Sequence, residues 1–210
     1  MRQLELLAAL HKALRPETYL EIGTDASTSF ALASYSKRAI GIGPGVKPAP
    51  VGSNQVTFDM DPNLYFSTLG LIVPTIDMAF IDDGRTFSEA LGDIINIESH
   101  SHGSTVIVLG GVLPRNQEEA SVGDSWKIPF ALGKYRPSLE QHLLDTYPSG
   151  SLVLRDLQPR STRLKEGHDS IVKEFSSANY DQAPEFVFTR AAAEQPEGLI
   201  SKLNLEAWKW

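Results

Sequence analysis

Apolar residues recur at helical spacing through MRQLELLAALHKAL, interrupted by Glu5 and Lys12, until Pro16 stops the run. TYLEIG follows, a short β-rich segment that closes on Gly23 and predicts a first strand. ASTSFALASYSK returns to helical spacing through Phe30, Ala31, Ala33 and Tyr35, with Ser27 or Thr28 placed to cap it. RAIGIG is the next strand, and the proline- and glycine-rich stretch from Gly43 to Gly52 is a loop. The alternation then continues. QVTFDM, TIDMAFIDD and STVIVLGG predict strands, PNLYFSTLGLI and TFSEALGDIINIESH predict helices, and a further helix is expected over residues 123–136. EQHLLDT and SLVLRDL flank the turn YPSG and predict an antiparallel pair at a sheet edge. Beyond about residue 160 no clear period emerges.

Strands separated by amphipathic helices specify an open, mainly parallel sheet covered by helices on both faces, an α/β fold. Ligands of such sheets lie beyond the carboxyl ends of the strands. That rule selects Glu21 to Ser27, Gly43 to Gly45, Asp59 to Asp61, Asp82 to Arg85 and Gly110 to Asn116 as the places to look for chemistry. The expected organisation is an N-terminal helix over 1–18, an α/β domain over 19–157, and a C-terminal extension over 158–210 that packs on the domain or on a second subunit.

Composition narrows the function classes. The 210 residues carry 19 basic and 26 acidic side chains, and the formal charge of -7 opposes phosphate backbones and anionic membrane surfaces. Neither nucleic acid nor membrane is expected as a partner. With no cysteine, thiol nucleophiles, thiolate zinc sites and disulfides are all excluded. No apolar stretch approaches the roughly 20 residues that span a bilayer, and a cytoplasmic protein is the expectation.

At its strand ends the sequence resembles the class I S-adenosylmethionine-dependent methyltransferases, in particular a bacterial subgroup acting on sugars and natural products. The resemblance rests on YLEIGTDASTSFALA, RAIGIGP, IDMAFIDDGRTFSEALGDIINIESH and VIVLGGVLPRN, with KYRPSL, DTYPSGSLVL and DLQP further on, and covers residues from about 15 to 200. It implies a Rossmann-like seven-stranded sheet of order 3-2-1-4-5-7-6 with the last strand antiparallel. It also implies a cofactor site at Glu21, Gly23, Ser27, Gly43 and Asp61, and a catalytic region at Asp82, Asp83, Arg85, Arg115 and Asn116.

Several of these positions depart from the family pattern. Ser27 stands where the second glycine of the first turn is expected, and serves equally well as a helix N-cap. Gly43 replaces the acid that accepts the ribose hydroxyls of the cofactor. Met60 replaces a serine beside Asp61, and Asp61 also suits an N-cap before Pro62. Arg85 replaces a histidine and, always protonated, cannot act as a base. Gly110 and Gly111 replace two carboxylates that bind a divalent cation or position the acceptor hydroxyl, so no metal is expected.

Three functions are compatible with this pattern. The first is methyl transfer from S-adenosylmethionine to a hydroxyl or amine of a small molecule, which needs alignment more than a side-chain nucleophile. The second is a catalytically degenerate binding or regulatory subunit, paired with an active homologue. The third is a fold repurposed for a different step in natural-product biosynthesis. Trp208 and Trp210 suggest a homodimer contact.

Overall fold

A computed structural model describes residues 1–23, 28–48 and 53–207. Seven strands form one sheet: β1 (Thr18–Ile22), β2 (Arg38–Ile42), β3 (Gln55–Phe58), β4 (Met78–Ile81), β5 (Val106–Gly110), β6 (Glu140–Leu144) and β7 (Ser151–Arg155). Their order is β3-β2-β1-β4-β5-β7-β6. β7 runs antiparallel to both β5 and β6, while the other pairings are parallel. The order is the one the family resemblance implies, and the mainly parallel sheet and terminal hairpin are those read from the alternation.

Side-chain alternation divides the core between the two faces of the sheet. Leu20, Ile22, Ile40, Ile42, Ile107 and Leu109 point to one face, where they meet α3 (Pro62–Leu69), α4 (Phe87–Ser99) and α6 (Ile128–Tyr135). Tyr19, Met78, Phe80, Val106 and Val108 point to the other, against α1 (Gln3–Leu14), which buries Leu6, Leu7 and Leu10. α2 (Thr28–Ala31) is one turn long and passes into a 3-10 turn over Leu32–Tyr35, so the predicted helix there is shorter and tighter than its periodicity suggests. The helix expected over 123–136 starts as a 3-10 turn, Asp124–Lys127, and α5 (Gln117–Val122) precedes it as a separate element.

The stretch without a clear period after residue 160 is ordered. α7 (Arg163–Phe175) packs on α4 through Leu164, Ile171 and Phe175, and Phe175 stacks on Phe87. Leu164, Ile171, Val172 and Phe175 stand at i, i+7, i+8 and i+11, one face of a helix set within an otherwise charged sequence. α8 (Glu185–Phe188) is a single turn, and α9 (Pro196–Ala207) lies along α1 through Leu199 and Leu203. Trp208 and Trp210 fall outside the described residues.

One ion pair is fully inside. Arg136 is 1% exposed, and its guanidinium meets both oxygens of Glu98 at 2.7 and 2.8 Å. The backbone N–H of Gln158 adds a third donor at 3.1 Å. The pair ties α4 and α6 to the segment leading into α7.

Candidate functional site

The site is built on the carboxyl ends of β1, β4 and β5. At the end of β1, Gly23 adopts φ +88, a left-handed conformation that other residues rarely hold. A side chain there would also press on the Cβ of Asp82, 3.3 Å away. The glycine is therefore required by backbone and packing together. Ser27, predicted to complete this turn, lies outside the described residues. Glu21 is fully buried, and its carboxylate accepts hydrogen bonds from Tyr19 Oη at 2.6 Å and Ser29 Oγ at 2.8 Å. Its position beside Tyr19, together with burial, raises the phenol pKa well above its ordinary value.

Gly43 is buried after β2; its N–H donates to the carbonyl of Phe58 and its own carbonyl accepts from Val46. It offers no side-chain acceptor. The tertiary structure brings another acid to this loop: Asp59, just after β3, accepts from the N–H of Gly45 at 2.7 Å. Asp61 caps α3, its Oδ1 taking the N–H groups of Asn63 and Leu64 at 2.8 and 3.2 Å. The capping role foreseen for it is thus realised, with one oxygen engaged.

Asp82 and Asp83 follow β4. Asp82 accepts from the backbone N–H of Asp83 at 3.0 Å, and the two carboxyls lie in hydrogen-bonding reach of each other. Burial, the hydrogen bond with Asp83 and the charge on it push the pKa of Asp82 up to about 8. Asp82 therefore keeps its proton through the neutral range.

Arg85 turns away from this pair. Its Nε meets Asp93 Oδ2 on α4 at 2.9 Å, and Glu89 lies at 3.7 Å. Asp93 is completely buried, and burial raises its pKa to about 7 although Arg85 opposes the shift. Arg85 Nη2 and Asp93 Oδ1 are both buried without partners. The arginine thus braces the underside of the Gly23 turn, its Cδ lying 3.9 Å from where a Cβ would stand at Gly23.

A cavity of about 490 Å³ opens beyond Asp83, between the β5–α5 loop and the turn before β7. Asp83, Gly111, Arg115, Asn116 and Ser149 line it. Three of the five predicted catalytic residues therefore share one cavity, and Asp82 adjoins it through Asp83. Asn116 caps α5 through Glu119 N at 2.9 Å, and Arg115 Nε meets Glu119 Oε1 at 2.7 Å, so both polar side chains are already partnered.

The position vacated at Gly110 is occupied by the protein itself. Gln3, from the first turn of α1, lies where a side chain of residue 110 would stand, and a Cβ at Gly111 would come within 2.9 Å of the Cβ of Asp83. Gln3 N donates to the carbonyl of Tyr147 at 3.1 Å, and Tyr147 N to the carbonyl of Met1 at 2.9 Å, pinning the N-terminus across the end of β5. Gln3 was not singled out from the sequence, although it shares a stripe with Leu6, Leu7 and Leu10, and a polar residue on a buried stripe is a recognisable signal. Ser149 and Asp93 carry no comparable signal. Glycine at 110 and 111 supplies no side-chain ligand, and among the described residues no group of three or more histidine or acidic side chains is suited to a metal.

No protein-family model matches the sequence, and no curated protein matches it. Solved structures do resemble the fold. An O-methyltransferase from Bacillus cereus in complex with SAH (S-adenosylhomocysteine) aligns over 73% of this chain and 80% of its own, with TM-score 0.56 and 16% identity. SAH-bound methyltransferase PaMTH1 from Podospora anserina covers 74% and 78%, with TM-score 0.55 and 16% identity. The O-methyltransferase TomG from Streptomyces achromogenes, in complex with SAM, covers 73% and 79%, with TM-score 0.51 and 16% identity. The chain has the fold of these methyltransferases.

Proposed function

We propose that this protein is a methyltransferase that works without a divalent cation, using S-adenosylmethionine and a small-molecule oxygen or nitrogen acceptor. The observation that carries the reading is the Asp82–Asp83 pair. Asp82 abuts Gly23 and Asp83 lines the cavity, so a carboxyl pair whose Asp82 keeps its proton up to about pH 8 stands between Gly23 and the cavity. S-adenosylmethionine, when bound, supplies an electrophilic methyl group. The backbone at Gly23 permits close approach, and Asp59 and Asp61 are the acids placed to accept its hydroxyls. Once Asp82 has lost the proton it holds up to about pH 8, the pair takes the proton from an acceptor held beside Asp83 in the cavity, and the walls of that cavity align the acceptor. General-base and alignment contributions of this kind do not require a metal.

A second reading, a catalytically degenerate binding or regulatory subunit, is favoured by Gln3 filling the position above Gly110 and by the missing acceptor at Gly43. Calorimetry with S-adenosylmethionine in the presence of a chelator decides between them. Micromolar binding, followed by methyl transfer that rises with pH through about 8 and is lost in Asp83→Asn, supports the first. Absence of heat at millimolar cofactor removes it and leaves the second.

A further inference from the structure

At the opposite end of the sheet, beside the amino ends of β1 and β2, lies a second cavity of about 570 Å³ between α1 and the 3-10 turn after α2. Its walls include Ala8, Leu32 and Tyr35, and Tyr35 is 98% exposed. Two polar side chains in the wall, His11 and Ser36, carry a buried atom without a hydrogen-bond partner, Nε2 and Oγ. His11 packs its ring on Tyr19 at 4.5 Å, and its Nε2 is buried with no hydrogen-bond partner. A buried imidazole nitrogen left without a partner costs free energy that a ligand's hydrogen bond would recover. Burial holds the His11 pKa down to about 4, so the ring is neutral in ordinary buffers and can donate or accept one bond.

Two cations stand at the rim. Lys12 and Arg15 are exposed, and neither has a carboxylate partner among the described residues, in contrast to Lys37, which meets Glu17 at 2.6 Å. In a chain of net charge -7, unpaired cations beside an apolar cavity are a local reversal of the overall field. The volume falls in the range of small-molecule sites, in which a few polar groups orient an otherwise apolar ligand.

We propose that this cavity binds a small amphipathic carboxylate. Its aromatic or aliphatic body lies among Ala8, Leu32 and Tyr35, and its carboxylate meets Lys12 and Arg15, within reach of a bond from His11 Nε2. The site is separate from the one assigned to methyl transfer, and does not depend on that assignment.

The test titrates the full chain with 1-naphthoate and with its neutral analogue 1-naphthalenemethanol, by calorimetry. The naphthoate is expected to bind with micromolar affinity and the alcohol about tenfold more weakly. Lys12→Glu and Arg15→Glu, both surface changes, are each expected to weaken naphthoate about tenfold while leaving the alcohol unchanged. Ala8→Trp is expected to abolish both by filling the space. Equal binding of the two probes, naphthoate binding insensitive to Lys12→Glu and Arg15→Glu, or no heat at millimolar naphthoate overturns the proposal. So does sedimentation showing a dimer that Ala8→Trp disrupts, since a second copy would then be the occupant.

Discussion

Gln3 and Gly110 are complementary: the amide of Gln3 fills the space that any side chain at residue 110 would need, and Gly110 is the residue that lets α1 approach the end of β5. The backbone N–H of Asp83 stands 3.2 Å from the same point, so the space is closed from two sides. A carboxylate at residue 110 would therefore have to displace the Gln3 amide.

Gly110→Asp should destabilise the fold by about 1–3 kcal/mol, the usual cost of forcing a larger group into a filled space. Gln3→Ala should relieve part of that cost. Urea unfolding of the two single variants and the double variant should give a coupling energy of about 1 kcal/mol or more. Additive effects would mean that Gln3 does not occupy the position.

The acids at 82 and 93 make stability depend on pH. Their folded pKa values, about 8 and about 7, lie above those of an unfolded aspartate, so the unfolded chain releases these protons first. Their contribution is fully present below about pH 4 and is lost as pH rises toward 8. His11 acts in the opposite sense, its contribution being present above about pH 6.5 and lost as pH falls through about 4. Thermal melts between pH 5 and 8 should show a downward slope that Asp82→Asn flattens. At pH 8 the variant should gain about 1 kcal/mol, or roughly 2–4 °C in Tm.

Glu98→Ala leaves the Arg136 guanidinium buried and uncompensated, and should cost about 3–5 kcal/mol by denaturant unfolding. Lys37→Ala, which removes an exposed pair with Glu17, should cost less than about 1 kcal/mol in the same measurement.

Gly43→Asp should restore an acceptor at the end of β2. A charge-assisted hydrogen bond of about 1.5–3 kcal/mol corresponds to a gain of roughly tenfold or more in affinity for S-adenosylmethionine. Unchanged affinity in calorimetry would show that the crevice beside Gly43 does not hold the nucleoside.

The alternation of strands and helices could be read because each element declares itself through a local period, whereas the sheet order is implied by the family resemblance. α7 escapes that reading although Leu164, Ile171, Val172 and Phe175 keep helical spacing, because charged residues fill the turns between Leu164 and Ile171. The candidate site was legible as a set of positions, and Asp83, Arg115 and Asn116 do meet at one cavity. The partners of those positions were hidden. Nothing in the local sequence assigns Arg85 to Asp93, or places Asp59 beside the loop after β2, because those contacts form only when neighbouring elements pack.

By itself, the sequence determined the order of elements, the identity of the strand ends and the glycines, without side-chain acceptors, at residues 43, 110 and 111, all of which are properties of single positions or local periods. Only the tertiary structure decided what stands beside Gly110 and how the acids are charged. Gln3 reaches Gly110 from the far end of the chain, and the proton on Asp82 is held by burial and by its neighbour, effects that depend on distances the linear sequence does not contain.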